Sequence, residues 1–430
     1  MRKGIKILGK VISTIILLLI FFPVVATLVL NIESVQNGLV RQASRYASDY
    51  LGTDVYVDGI DFDLFSKVRI RGLYVEDYNQ DTLLYVAHAT ANIDGLSVAK
   101  EGLRLSNTKV YDGKFYLREL PSGKMNITPI VEQLQSGEGE GDFKLYIDDI
   151  DAEELSFSLE KLEPRNPLYG VDVDDMYIGD ISAHITNFAV VRGAVWMDIE
   201  HLSFVEQSGF EAEELASHLY VSDGVVALEG LNLQTQTSSV YAPKVELRGD
   251  DWLSYKHFEH DVELVMSFEH SQVALGDVAY FVPSFWGLDI DVRSLSATVT
   301  GPLSDLDVKI KRAKLGEATD VALNCSVDGL PNWRDARYVV GVERLYATSQ
   351  DVLMVADVFA KGAMSEQLRG VVERMEWVDV RATGGGLVDD FRVVGNISSG
   401  KGNLSGDVVL RRVEDGLWRC WARYTARTLI

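Results

Sequence analysis

Cysteine, histidine and proline are scarce in this 430-residue sequence, and each scarcity closes a class of explanation. The two cysteines, Cys325 and Cys420, are too few for a disulfide framework or a zinc site. Cys325 alternates in phase with Val321, Leu323 and Val327, the pattern of a small buried apolar residue. The seven histidines are scattered, and the closest pair, His257 and His260, points to opposite faces of an extended segment rather than to one metal. Aspartate doublets at strand spacing, Asp61 with Asp63, Asp172 with Asp174 and Asp289 with Asp291, match a solvated face better than a glycosidase pair. Gly384-Gly385-Gly386 lacks the Lys-Ser/Thr of a phosphate loop and reads as a flexible turn. With no nucleophile-and-base set, metal cluster or cofactor motif, the expectation is a protein that is not an enzyme and carries no cofactor.

Positive charge is also in short supply. Against 64 acidic residues stand 41 basic ones, a net charge of −23, and four of the basic residues (Arg2, Lys3, Lys6 and Lys10) crowd the N-terminus. Nucleic acid is excluded as a partner, and an anionic lipid surface would repel the body of the chain, so lipid contact has to be hydrophobic.

One long apolar run is present. Val11 to Ile32 is 22 residues without a charge, and as a helix it is about 33 Å long, enough to cross a bilayer core. The basic tail 1–10 before it and Glu33 after it predict a single-pass anchor at 11–32 with the N-terminus cytoplasmic and the bulk across the membrane, which the resemblance given below makes an inner-membrane anchor with a periplasmic body. A cleaved signal peptide ending near Val24-Val25-Ala26 is the competing reading, weakened because the apolar run continues through Leu28, Val29, Leu30 and Ile32. Val35, Leu39, Ala43, Ala47 and Leu51 then recur every four residues, predicting an amphipathic helix over 33–52 that rests on the membrane or docks onto the first strands.

From Asp54 onward a two-residue alternation replaces helical periodicity. Leu83, Tyr85, Ala87, Ala89, Ala91 and Ile93 form one such face, followed by Phe143 with Leu145 and Ile147, and by Leu155 with Phe157 and Leu159. Leu264, Met266 and Phe268, then Leu323, and finally Leu404, Val408 and Leu410 continue it. The intervening residues are polar, so one side of each strand meets water. Asp112-Gly113, Asp223-Gly224, Asp328-Gly329 and Asp415-Gly416 read as turns. Short helices are expected at Thr128–Gln135, Ser349–Phe359 and Gly276–Trp286, and a loop at 136–141 (SGEGEG) separates a β region over 53–135 from a continuous one over 142–430.

LGTDVYVDGIDFDLFSKVRIRGLYVEDYNQDTLLYVAHATANID (Leu51 to Asp94), behind an anchor and an amphipathic helix, resembles the opening of AsmA-like proteins, specifically the TamB branch of Bacteroidetes-type bacteria. LEGLNLQTQTSSVYAPKVEL (Leu228 to Leu247), GDVAYFVPSFWGLD (Gly276 to Asp289) and GPLSDLDVKI (Gly301 to Ile310) resemble the same branch. The resemblance implies a mostly β fold: an elongated, twisted β-sheet trough (a β-taco) with one transmembrane helix and a few short helices. It also implies transport of phospholipid between inner and outer membranes, or assembly of outer-membrane proteins with an outer-membrane β-barrel partner. Full members of the branch end in a C-terminal β domain with no counterpart before Ile430, so the resemblance is to an N-terminal portion.

Moving one sixteen-carbon acyl chain through water exposes about 12 kcal/mol of apolar surface at ~0.8 kcal/mol per methylene, and an apolar trough lowers that barrier without any catalytic group. Leu83, Tyr85, Leu145, Phe157, Leu264, Met266, Leu323, Leu404 and Val408 are the candidate groove-lining residues, with phospholipid acyl chains as ligand. Periodicity alone allows the same faces to close as a sandwich core. The alternative function is a periplasmic scaffold that lends strand edges to assembling β-barrel proteins.

Overall fold

The computed structural model describes residues 33–63, 67–93, 102–136, 144–163, 169–191, 194–282, 285–287, 289–316, 318–360, 366–412 and 418–428. The basic tail, the 11–32 anchor, Phe143, most of the 136–141 loop and Asp415-Gly416 lie outside them. Among the described residues no helix is long and apolar enough to cross a membrane.

Among the described residues the chain is mostly β, and nineteen strands belong to one sheet. It divides into two compact units, Met1–Glu211 and Ala212–Ile430. The first holds β1 (Val55–Phe62), β2 (Lys67–Glu76), β3 (Thr82–Ile93), β4 (Leu103–Arg118), β5 (Lys144–Glu160), β6 (Asp175–Val191) and β7 (Ala194–Glu206). At the boundary lies β8 (Glu211–Ser222), and the second continues with β9 (Val225–Gln234), β10 (Ser239–Arg248), β11 (Glu263–Ala274), β12 (Asp291–Pro302) and β13 (Asp305–Leu315). It goes on through β14 (Thr319–Asp328), β15 (Arg337–Thr348), β16 (Trp377–Leu387), β17 (Asp390–Ser399), β18 (Gly402–Arg412) and β19 (Trp418–Thr428).

Within each unit, neighbours in sequence pair antiparallel, as short connections require. The exception is β4 with β5, which run parallel from Leu103 opposite Leu145 to Arg118 opposite Glu160. A parallel pair needs a long crossover, and the segment with the helix Thr128–Ser136 and the glycine-rich loop supplies it. The loop expected to separate two β regions therefore joins two adjacent strands.

The amphipathic helix is Glu33–Leu51, ended by Gly52 at φ +68°, whose N–H donates to the Ser48 carbonyl at 2.8 Å. Of its two expected positions it takes the one against the strands. Ala47 and Leu51 pack on a cluster of Val55, Val75, Leu83 and Ile130, the Val55 N–H donates to Ser48 Oγ at 2.8 Å, and Gln36 Nε2 donates to Asp61 Oδ1 at 3.2 Å. Helices also form at Ser349–Ala360 and Glu366–Met375, but the expected Gly276–Trp286 helix is only Leu275–Ala279.

Asp112-Gly113 is not a turn. It lies inside β4, where Asp112 has φ +50°, and Gly72, Glu154 and Asp180 have φ +58°, +56° and +50° in β2, β5 and β6. A left-handed residue interrupts the alternation, so the side chains on either side of it point to opposite faces instead of the same one. Ile70, Ala89, Val110, Ala152 and Ala183 thus form one cross-strand row, and Leu73, Val86, Gly113, Leu155 and Ile181 form the next on the same face. These left-handed residues keep one side of the sheet apolar across a break in phase.

Candidate functional site: an apolar sheet face

Across β8 to β13 of the second unit, Leu219, Leu228, Val245, Met266, Val299 and Val308 oppose one another in direct register. The row continues without a polar residue through Cys325, Val340, Gly384, Val393, Val408 and Ala422 to β19. A parallel row runs Phe268, Ala297, Ile310, Leu323, Val342 and Ala382. One position along each strand, the residues facing the other way are Glu229, Lys244, Ser267, Thr298, Lys309 and Asn324. Two adjacent rows of one sheet therefore differ completely in polarity.

Burial distinguishes an open face from a packed one. Every member of the long row from Leu219 to Val408 is half-buried and Ala422 is exposed, whereas side chains at the centre of a sandwich core are shut off from water. Beside this row on the same face, Leu264 and Ala297 are buried, at 7% and 6% exposure, so the open character belongs to the long row rather than to every apolar position.

Seven of the nine candidates lie on the apolar side. Leu264 sits between Leu247 and Gly301, Met266 between Val245 and Val299, and Leu323 between Ile310 and Val342. Val408 lies between Val393 and Ala422, and Leu404, 36% exposed, between Ile397 and Ala426. In the first unit Leu145 pairs with Leu103 and Val190, and Phe157 with Phe115 and Ile178, the two rings 6.0 Å apart. Leu83 is instead buried in the cluster under the helices. Tyr85 is on the opposite face, between Tyr74 at 4.7 Å between ring centroids and Lys114, whose ammonium lies 5.8 Å from the ring. A register shift beside Leu84 breaks the alternation that placed Leu83 and Tyr85 together. The row through Leu219, Leu228 and Val245, and the inclusion of Gly384, escaped sequence reasoning because period two identifies a face on one strand but not its register with the next.

Gly384-Gly385-Gly386 is strand, not turn. A Cβ on Gly384 would meet Phe391 Cε1 at 2.8 Å and the Arg392 carbonyl at 2.9 Å, so close packing accounts for that glycine. Cys325 is half-buried within the row, and burial, then the nearby Asp307 charge, pushes its thiol pKa up, which keeps it inert. Asp172 and Asp174 are not on a solvated face: they are 9% and 4% exposed in the turn before β6, where the Asp174 N–H donates to Asp172 Oδ1 at 3.0 Å and Lys161 Nζ donates to Asp174 at 2.7 Å. Asp61 and Asp63 pair with Arg71 and Arg69, and Asp289 and Asp291 are exposed. His257 and His260 are exposed in helical turns rather than in an extended segment.

The polar side is laced with ion pairs. Arg392 grips Asp407 with both Nε and Nη2, at 2.9 and 2.6 Å, and these hydrogen bonds hold the Asp407 carboxyl below its usual range. Burial pushes Glu246 upward, but hydrogen bonds and charge from Lys244 and Arg248 outweigh it and leave the carboxyl below its ordinary value. The exposed Arg392–Asp407 pair adds little stability, whereas Glu246 is 8% exposed beneath its two cations. Among the described residues no group of His, Cys, Asp and Glu is placed to hold a metal ion. The apolar face can bury an apolar chain at about 25 cal/mol per Å². Comparisons with protein-family models, with curated proteins and with solved structures find no match to the chain.

Proposed function

We propose that this chain is an inner-membrane-anchored periplasmic protein of the AsmA/TamB type that carries phospholipid between membranes, the acyl chains sliding along the apolar face while the headgroups stay in water. The observation that carries the reading is the unbroken, half-exposed apolar row from Leu219 to Ala422, in register over consecutive strands. A folded protein leaves so much contiguous apolar surface uncovered only when something else covers it. A chain moving along the row exchanges one aliphatic environment for another, so its barrier stays far below that of transfer through water. No nucleotide or metal is required for the sliding itself. The test is photo-crosslinking from Met266, Leu323 and Val408 against Glu263, Asn324 and Asn403 on the other side, followed by mass spectrometry of the adducts. Phospholipid captured only from the first set supports the reading; equal capture from both, or none from either in folded protein, removes it.

A second reading, a scaffold that pairs with strands of assembling outer-membrane proteins, draws on β19, where Trp421 is 50% and Tyr424 68% exposed. Its signature is a client strand, rather than lipid, crosslinked at Trp421.

A further inference from the structure

Two of the sequence motifs described above meet in space. The β9–β10 connection supplies Thr235, Thr237 and Ser238, and all three hydroxyls donate to one oxygen, Oδ2 of Asp277, at 2.6 Å from Thr235 and 2.8 Å from Thr237. Ser238 Oγ also accepts from the Ala274 N–H at 3.0 Å, which fixes the end of β11. This clamp holds the start of the β11–β12 connection, whose next residues are Tyr280, Phe281 and Val282, with Trp286 beyond. Phe281 is 57%, Val282 40% and Trp286 47% exposed, and the Tyr280 and Trp286 rings meet edge to face at 5.8 Å. Apolar side chains in a free loop would collapse onto the nearest surface; here a polar anchor keeps them presented to solvent.

We infer that this connection is a contact site for the interfacial region of a zwitterionic phospholipid surface, through which lipid reaches the apolar face; the second half of that inference rests on the function proposed above. The occupant follows from three features. Tyr and Trp beside Phe and Val match the half-wet, half-apolar depth of a bilayer interface. From Leu275 to Asp291 the chain has three aspartates and no lysine or arginine, which disfavours an anionic surface. The connection also lies next to apolar positions, since Val273, Val292 and Leu315 oppose one another one residue before the closing pair of Ala274 and Asp291.

The experiment places a photo-reactive side chain at Phe281 in the full chain reconstituted with phosphatidylcholine vesicles. Trp333, 53% exposed on the β14–β15 connection, serves as the control position. Lipid adducts at Phe281 at least tenfold above those at Trp333 are expected; equal yields, or protein adducts instead of lipid, overturn the inference. A third probe at Met266 separates the two claims. Capture at Met266 without capture at Phe281 sinks the contact site and leaves the groove standing. Capture at Phe281 without capture at Met266 sinks the groove and leaves the surface contact. In the double variant Phe281→Ser, Trp286→Ser, which alters only exposed side chains, the rate at which lipid becomes capturable at Met266 should fall at least fivefold with the final yield unchanged, and an unchanged rate refutes the route.

Discussion

Replacing Met266 with glutamate tests the apolar face at one point. Met266 is half-buried between Val245 and Val299. Full burial of such a side chain is worth about 1.5–3 kcal/mol, so losing a half-buried one costs folding roughly 1 kcal/mol. In the lipid-free protein the new carboxylate keeps its water. With an acyl chain over it that water is lost, and desolvating an ionised carboxylate costs several kcal/mol. A penalty of about 3 kcal/mol lowers lipid occupancy roughly a hundredfold. Ser267→Glu is the matched control: it faces the other way, between Lys244 and Thr298, and should leave occupancy unchanged. The assay is the yield of lipid adducts from a probe at Val299, with thermal unfolding measured on the same preparations. Folded Met266→Glu protein with unchanged adduct yield refutes the lipid path. A variant that fails to accumulate because it is unfolded refutes the open face and restores the closed core.

The N-terminus should remain uncleaved, and Edman sequencing that starts near Thr27 would contradict the anchor. Asp277→Ala removes the acceptor of three hydroxyl hydrogen bonds, and at about 1.5 kcal/mol or more for each bond to a charged group, less for the half-exposed ones, it should cost roughly 2–4 kcal/mol in urea unfolding. Glu246 has a folded-state pKa below its ordinary 4.5, so its contribution is present above that pH and is lost as pH falls through the depressed value; Glu246→Gln should flatten the acid limb of the Tm–pH curve, and an unaltered limb would contradict the assignment. Alanine at His257 or His260 should leave lipid capture unchanged, since both are exposed in helical turns.

Strand content and the polarity of each face were legible in the sequence because side chains alternate along a strand whatever its neighbours do. The helix Glu33–Leu51 was legible for a similar local reason: its apolar spacing and Gly52 need no tertiary information. Register was not, and the errors fall where it slips. Tyr85 was assigned to the wrong side because a shift beside Leu84 separates it from Leu83, and Asp112-Gly113 has the composition of a turn but continues β4 through a left-handed residue. The parallel β4–β5 pair was invisible because nothing local distinguishes a strand that reverses from one that crosses over. Asp172 and Asp174 carry the spacing of exposed carboxylates, yet Lys161 and a backbone N–H draw them inside.

The row from Leu219 to Ala422 crosses the strands β8 to β19, and at about 4.8 Å between neighbours its contour is on the order of 50 Å. An acyl chain in a bilayer occupies about half of a ~30 Å hydrocarbon core. The face is therefore several lipid lengths long, and no single lipid can touch both of its ends. On the function proposed above, carriage along it is a queue: chains follow one another in single file, and net flow is set by where the file is loaded and where it is drained. Direction is then a property of the two reservoirs, and a charge placed between the loading and draining points slows the whole file.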